Sequence, residues 1–325
     1  MSNSQNVNHL NRLRTKLAKF GLLVGAMVFS AVGAASAAPQ KTLQSYSLTD
    51  VQIEQQQILV PAFNQYVQVQ VFLPPNYSST THSRFPSLYV NDGQDAEAVA
   101  LSATLKQLLA EQKIRPVIVV AVSMLPDRMG TYGFSDRTSQ QSLPAQTRFG
   151  PVGLHAHDYS DWLAKSLVPS IDAQYRTIAK PVSRAIVGWS LGAANAFNIG
   201  WNYPDVFSRV GAFSPSFWLS AKTGDPTTAI VQSLLTQKPL PPNFSLWLAV
   251  GDAEETDDRD GDGVIDVVDD AQGVIEALSA KVLQSGTANA QNDIQLKLFP
   301  GGQHNQQTWK QMLPEFLLWA YPLEN

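Results

Sequence analysis

The 325-residue chain contains no cysteine, and this absence excludes several classes of protein. Without thiols there is no disulfide framework, no thiolate metal site, no cysteine nucleophile and no cysteine for a lipid anchor. Histidine is scarce, at five residues, which argues against a transition-metal site built from several imidazoles. The chain also lacks a basic stripe, so nucleic acid is not an expected partner.

Residues 1–37 have the pattern of a secretory signal peptide. Four basic residues and no acid precede an apolar run at 20–31, and Ala35-Ser36-Ala37 forms an A-x-A cleavage site. The run is short for a membrane span, which needs about 20 residues. We therefore expect cleavage, a mature chain from about Ala38 with no membrane span, and a periplasmic or secreted protein. Residues 38–325 are expected to form a single domain.

Acidic residues are concentrated in one segment of the mature chain. The whole chain has a net charge of −4, but residues 252–270 contain ten acids and a single base, Arg259. The remainder of the mature chain is close to neutral. The acidity is therefore a local feature and not a general property of the surface.

Predicted strands and helices alternate along the mature chain. Strands are expected at residues 51–60, 66–73, 87–90, 117–123, 184–189, 209–213, 245–251 and 294–299. Helices are expected between or after them at 101–114, 159–175, 191–203, 227–237, 271–285 and 306–319. The alternation predicts an α/β fold with a mostly parallel sheet, antiparallel N-terminal strands and helices on both faces. Sites in such sheets form at the carboxyl ends of strands.

Gly188-Trp189-Ser190-Leu191-Gly192 matches G-x-S-x-G between a predicted strand and a predicted helix. This context favours a nucleophile elbow, in which small residues at 188 and 192 let the strand and helix backbones approach. A serine hydroxyl needs a base to take its proton. His304 is the only histidine after Ser190, and it follows the last predicted strand. The third member is expected after the 245–251 strand, where Asp252, Glu254 and Glu255 are all candidates.

Five motifs together resemble the enterochelin-esterase, or putative-esterase, branch of the α/β-hydrolases. That branch also contains feruloyl esterases, S-formylglutathione hydrolases and mycolyltransferases. The motifs are Val69–Tyr77, Tyr89–Gln94, Gly188–Gly192, Phe213–Trp218 and Gly301–Trp309. The resemblance covers most of residues 65–322 and implies the α/β-hydrolase fold.

The resemblance also implies roles for individual residues. It favours Glu254 as the acid, and it implies that the N–H groups of Gln94 and Leu191 form the oxyanion hole. The chain departs from the family pattern at Ala193, where relatives often carry glycine, and in the enlarged acidic loop.

Residues 258–269 fit a twelve-residue calcium loop within an insert at 257–270. The expected ligands are Asp258, Asp260, Asp262, the Val264 carbonyl, Asp266 and Asp269. Glycine stands at position 6, but position 12 is Asp instead of Glu. The alternative is a solvated acidic loop without a cation.

The sequence therefore predicts an exported serine carboxylic-ester hydrolase that acts on a small-molecule ester through an acyl-enzyme. No catalytic cofactor is expected, and Ca²⁺ would be structural. An acyltransferase with the same triad and a calcium-binding, non-catalytic module are the alternatives. Candidates for the substrate rim are Trp189, Phe217, Trp218 and residues of the 124–157 region, namely Arg128, Tyr132 and Phe134, and ordinary packing explains the aromatic residues equally well.

Overall fold

The fold is built on a nine-stranded mixed sheet. The structure is a computed structural model that describes residues 42–43, 50–79, 81–284 and 292–323. These residues belong to the unit Pro39–Asn325, whereas the unit Met1–Ala38, with the predicted signal peptide, lies outside the described residues.

The sheet strands are β1 (Thr42–Leu43), β2 (Gln52–Val60), β3 (Gln65–Leu73), β4 (Ser87–Val90), β5 (Ile118–Val122), β10 (Arg184–Trp189), β11 (Arg209–Phe213), β12 (Ser245–Gly251) and β13 (Ile294–Phe299). Two small hairpins pair β6 (Phe134–Asp136) with β7 (Gln141–Leu143) and β8 (Ala145–Thr147) with β9 (Gly150–Val152). The helices are α1 (Leu101–Ala110), α2 (Arg128–Thr131), α3 (Ala156–Trp162), α4 (Val168–Gln174), α5 (Leu191–Asn202), α6 (Ile230–Gln237), α7 (Asp266–Gln284) and α8 (Gln306–Ala320).

Strands β1, β2 and β3 pair antiparallel, and β3 also runs antiparallel to β5. The order of the strands in the sheet is β1-β2-β3-β5-β4-β10-β11-β12-β13, and from β5 to β13 every neighbouring pair is parallel. The predicted fold class, including antiparallel strands at one edge, is confirmed.

Apolar side chains cover both faces of the sheet. Residues of α1 and α8 pack on one face, and residues of α3 to α7 pack on the other. Strands β5, β10 and β12 are buried along their whole length, as continuous apolar runs between two helical layers must be. Because helices cover the faces, the carboxyl ends of the parallel strands are left open for a site.

Several predicted helices differ from the observed ones: α1 ends at Ala110 instead of residue 114, and α6 begins at Ile230 instead of residue 227. The helix expected from about residue 271 begins five residues earlier, at Asp266, because Val267, Val268, Ala271 and Val274 form one buried stripe. Acidic residues in its first turn also suit the positive end of the helix dipole. The helix expected over 159–175 contains a π-helical segment, Leu163–Leu167, between α3 and α4.

Candidate active site

The carboxyl ends of five adjacent parallel strands carry the candidate site. Gln94 follows β4, Ser190 follows β10 and Ser214 follows β11. Glu254 follows β12 and His304 follows β13. Because β4 and β10 to β13 are neighbours in one parallel array, residues far apart in the chain meet at this edge.

Ser190 lies on a strained turn between β10 and α5, with φ 57° and ψ −127°. A Cβ at Gly188 would lie only 2.3 Å from the Gly192 carbonyl oxygen, so the turn requires glycine there. Ala193, the departure from the family pattern, is fully buried. This geometry is that of a nucleophile elbow, which lifts the serine oxygen out of the sheet.

The three residues of the predicted triad lie within hydrogen-bond distance. His304 Nε2 is 2.9 Å from Ser190 Oγ, and His304 Nδ1 is 2.8 Å from Glu254 Oε2. The imidazole is 40% exposed, whereas the Glu254 carboxylate is 2% exposed. A buried carboxylate on one ring nitrogen fixes the tautomer that leaves the other nitrogen free to accept the serine proton.

The other two acid candidates have different partners. Asp252 Oδ1 accepts a hydrogen bond from the Gly301 N–H at 2.6 Å and so fastens the turn before His304. Glu255 Oε1 accepts from the Val267 N–H at 2.7 Å, at the start of α7. Of the three carboxylates that the sequence leaves open, Glu254 is the one with an oxygen within hydrogen-bond distance of His304.

The histidine loop packs directly against the end of β12. The Ala253 N–H donates to the Gly302 carbonyl at 3.0 Å. A Cβ at Gly251 would lie 2.2 Å from that same Gly302 oxygen, so the close approach of the two backbones depends on glycine. Asn305 then caps α8 by accepting from the Thr308 N–H. Backbone contacts thus fix the distance between the acid and the base.

The two N–H groups predicted for the oxyanion hole flank Ser190. Leu191 is the first residue of α5, and Gln94 lies in a short turn after β4. Within the described part of the chain, neither N–H donates a hydrogen bond to another residue. Both groups are therefore available to a developing negative charge.

The turn that carries Gln94 is held by an ion pair. Asp92 has φ 57° and is 1% exposed, and its two oxygens accept from Arg128 Nε and a terminal nitrogen, each at 2.7 Å. Burial opposes the charged guanidinium, but the hydrogen bonds and charge of Asp92 outweigh it and raise the pKa of Arg128. The Asp92 N–H donates to the Tyr132 hydroxyl at 3.2 Å. The segment after β5 therefore braces the oxyanion turn.

A cavity of about 540 Å³ lies between the β8–β9 hairpin, the segment after Phe217 and the acidic insert, and the predicted triad is not part of its lining. Its wall includes Glu255, the neighbour of the triad acid, and Trp218, which follows Ser214 by four residues. Arg148 and Phe149 of the β8–β9 hairpin form another part of the wall. Phe149 is 77% exposed and Trp218 is 49% exposed, so two aromatic faces are open to a ligand.

The predicted rim is only partly correct. Trp218 is exposed, and Arg128 is partly exposed. Four others are buried in the apolar layers: Trp189, Phe217, Tyr132 and Phe134. These side chains belong to strand ends and loops whose apolar residues pack inward, which sequence alone does not distinguish from an aromatic rim.

Three of the six predicted calcium ligands lie close together. Ligand oxygens of Asp258, Asp260 and Asp262 are all within 4.8 Å of one another. Asp266 is turned to Arg259, accepting from its backbone N–H at 2.8 Å and pairing with its guanidinium. Burial, together with the charges of Asp262 and Asp260, raises the pKa of Asp269.

Sequence reasoning assigned no role to two residues that contact the triad. Ser214 Oγ donates to Glu254 Oε1 at 2.6 Å, and Trp309 Nε1 donates to Ser214 Oγ at 2.9 Å. Both lie in motifs that carry the family resemblance. The position of Ser214 at the end of a predicted strand was the one indication in the sequence that it lies near the site. The residues next to it in the sequence do not reveal that it contacts Glu254 and Trp309.

Comparison with known proteins places the chain in a family. A family model described as "Putative esterase" matches residues 61–320. A curated relative, the uncharacterized protein YbbA of Bacillus subtilis (strain 168), is 27% identical over 148 residues. That match covers 46% of this chain and 56% of the relative, so the chain spans about half the length of this relative.

Solved structures support the same fold at lower identity. A ferulic acid esterase aligns with a TM-score of 0.60 at 16% identity, covering 84% of this chain and 98% of its own. The enterobactin esterase of Shigella flexneri aligns with a TM-score of 0.58 at 13% identity, covering 88% of this chain and 60% of its own. In the part of the chain that the structure describes, no helix combines the length and apolar character needed to cross a membrane. The chain belongs to the putative esterase family and has the α/β-hydrolase fold of carboxylic ester hydrolases.

Proposed function

We propose that the protein hydrolyses carboxylic esters through an acyl-enzyme, with Ser190 as nucleophile, His304 as base and Glu254 as acid. The observation that carries this proposal is the continuous pair of contacts from Ser190 Oγ through His304 to Glu254, at 2.9 Å and 2.8 Å. Membership of the putative esterase family supports it independently.

In the first half of the reaction, His304 Nε2 takes the Ser190 proton as Oγ attacks the ester carbonyl carbon. The carbonyl oxygen becomes an oxyanion that accepts from the N–H groups of Gln94 and Leu191. Collapse of this intermediate breaks the bond to the alcohol oxygen, which leaves with the proton from His304. In the second half a water molecule repeats the attack, and the carboxylic acid and free Ser190 are regenerated.

The substrate is a small-molecule ester, and the cavity lined by Trp218 and Glu255 is the proposed place for part of it. The exposed rings of Phe149 and Trp218 offer apolar contact area, and Arg148 lies over the Phe149 ring at 4.7 Å. The cavity volume of about 540 Å³ falls within the usual range for small-molecule sites.

The direct test is Ser190→Ala in the mature protein. Hydrolysis of p-nitrophenyl acetate and labelling by a fluorophosphonate are expected in the unmodified enzyme and should both disappear in the variant, with Tm preserved. Unchanged turnover by Ser190→Ala would remove this serine from the mechanism. Absence of both reactions in the native protein would favour a non-catalytic module.

The protein is also proposed to be exported, on the strength of the signal-peptide pattern in residues 1–37. N-terminal sequencing of protein recovered from the periplasm or medium should begin near Ala38. Recovery with Met1 intact would contradict cleavage.

Calcium is proposed as a structural ion in the acidic loop. The residues fit a hard cation, because Asp258, Asp260 and Asp262 bring carboxylate oxygens together and such cations prefer oxygen ligands. With Asp269, Asp266 and the Val264 carbonyl they would hold Ca²⁺, although Asp266 must first leave Arg259. The loop starts four residues after Glu254, so a bound ion would order the segment that carries the acid.

Calorimetry should detect Ca²⁺ binding with Kd of about 10⁻⁴–10⁻³ M, and Asp260→Asn should weaken it. Absence of any heat of binding at millimolar Ca²⁺ would contradict this proposal.

A further inference from the structure

The two carboxylate oxygens of Glu254 have different environments. Oε2 faces His304 Nδ1 at 2.8 Å. Oε1 accepts two hydrogen bonds, from the Gly251 N–H and from Ser214 Oγ, each at 2.6 Å. Since the side chain is almost completely buried, these donors replace the water that would otherwise hydrate the charge. One oxygen is thus anchored while the other is left for the base.

The direction of the Ser214 hydroxyl is determined by its second partner. Trp309 Nε1 is 2.9 Å from Ser214 Oγ, and an indole N–H can only donate. Ser214 Oγ accepts from Trp309, and its own proton is therefore available to Glu254 Oε1. Ser214 itself is fully buried in a left-handed conformation, φ 50°, with its N–H donating to the Ala249 carbonyl of β12.

The Trp309 ring connects this chain of donors to the rest of the site. It meets the His304 ring edge-on, with centroids 5.4 Å apart and an interplanar angle of 84°. It also stacks on Trp189, the residue before the nucleophile, at 5.9 Å and 17°. Trp309 is 6% exposed and Ser214 is inaccessible, so neither side chain can bind substrate directly.

We propose that Ser214 is a positioning residue for the esterase reaction, and that Trp309 directs its hydroxyl proton to Glu254. This inference rests on the proposed triad. The two hydrogen bonds to Oε1 hold the Glu254 carboxylate in place, and a carboxylate fixed against Nδ1 stabilises the imidazolium that forms at His304 during attack. The contribution is largest in the transition state, so its loss lowers kcat and leaves KM unchanged.

The first experiment compares Ser214→Ala with a matched serine at the other end of the same strand. Ser208 is also buried and donates to the Pro181 carbonyl, but it lies just before β11, at the end of the strand away from the site. On p-nitrophenyl acetate, Ser214→Ala should lower kcat about 10- to 100-fold with unchanged KM, as expected for a lost hydrogen bond to a charged group. Ser208→Ala should lower Tm comparably and leave kcat unchanged. Trp309→Phe, which keeps a ring but removes the N–H, should lower kcat by a smaller factor.

The second experiment separates this inference from the triad itself. If Ser214 acts through Glu254, then adding Ser214→Ala to Glu254→Ala should cause no further loss of kcat. If Ser214→Ala lowers kcat by the same factor with and without Glu254→Ala, the positioning role is wrong and the triad is unaffected. The same conclusion follows if Ser214→Ala is fully active while Glu254→Ala is impaired. Full activity of Glu254→Ala would instead reject the proposed acid, and the positioning role with it.

Discussion

The nucleophile half of the site and the acid–base half are built differently. Ser190 lies between a fully buried strand and α5, a helix in which every residue is buried. Glu254 and His304 follow β12 and β13, and β13 is an edge strand whose residues are all at least partly accessible. The first half is positioned by core packing. The second is positioned by backbone contacts between two loops and by the side chains of Ser214 and Trp309. Each half also has an ion pair next to it. The Arg128–Asp92 pair, in the turn beside the nucleophile, is mostly buried, whereas the Arg259–Asp266 pair, in the loop after Glu254, is partly exposed.

The largest effect is expected from Gly188→Ala. The added Cβ would lie 2.3 Å from the Gly192 carbonyl oxygen and 2.5 Å from its carbonyl carbon, and these backbone atoms of α5 cannot move aside as the end of a flexible side chain could. We expect loss of esterase activity by at least about 10³-fold or failure to fold, as measured by turnover and circular dichroism. Gly273→Ala is the control: its Cβ would meet only the end of the Gln232 side chain at 3.2 Å, in a helix where alanine is favoured. Normal activity of Gly188→Ala would show that the elbow is less confined than its packing implies.

The next largest effect is expected from Arg128→Met. This change leaves the buried Asp92 carboxylate without its bidentate partner, and breaking such a pair costs about 3 kcal/mol in the free energy of unfolding. Denaturant titration measures this loss, and kcat should fall as the turn that carries Gln94 loosens. Adding Asp92→Asn should restore part of the stability, because the unpaired charge is removed. A cost below about 0.5 kcal/mol would mean that packing alone holds the turn.

A smaller effect is expected from Arg259→Met in the acid–base half. The guanidinium of Arg259 is 33% exposed and pairs with Asp266 and Asp270 at the start of α7. Partly exposed ion pairs contribute about 0–1 kcal/mol, so the free energy of unfolding should change by no more than that. A loss as large as that of Arg128→Met would remove the contrast between the two halves.

The smallest effect is expected from Asp95→Asn in the oxyanion turn. Burial, together with the nearby Asp92 charge, raises the pKa of Asp95, so the folded state binds this proton more tightly than the unfolded chain does. Ionisation of Asp95 therefore destabilises the native protein at pH values above its folded-state pKa, and this cost declines as the pH falls through that pKa and is gone below the ordinary pKa of the unfolded chain. The variant keeps an oxygen acceptor for Trp189 Nε1 and should show a slightly higher Tm at pH 7. That difference should vanish in acid, and a constant difference across pH would contradict a charge effect.

Much of the site could be predicted from the sequence because its signals are local. The elbow requires small residues next to Ser190, and this leaves a recognisable pattern. His304 could be selected because no other histidine follows the nucleophile. The choice among Asp252, Glu254 and Glu255 could not be made from residue types, since three carboxylates within four positions differ only in where the turn after β12 points them.

The sequence by itself determined the order of the main sheet strands and the longer helices, the fold class and the residue types available for catalysis, because periodicity and turn patterns act over short distances. Only the tertiary structure decided which groups meet: Glu254 with His304, Arg128 with Asp92, and Ser214 with Trp309 and Glu254. These contacts join residues 36 to 95 positions apart. They exist because the parallel sheet brings its carboxyl ends to one edge and the backbone closes around them, and no short-range pattern encodes such a meeting.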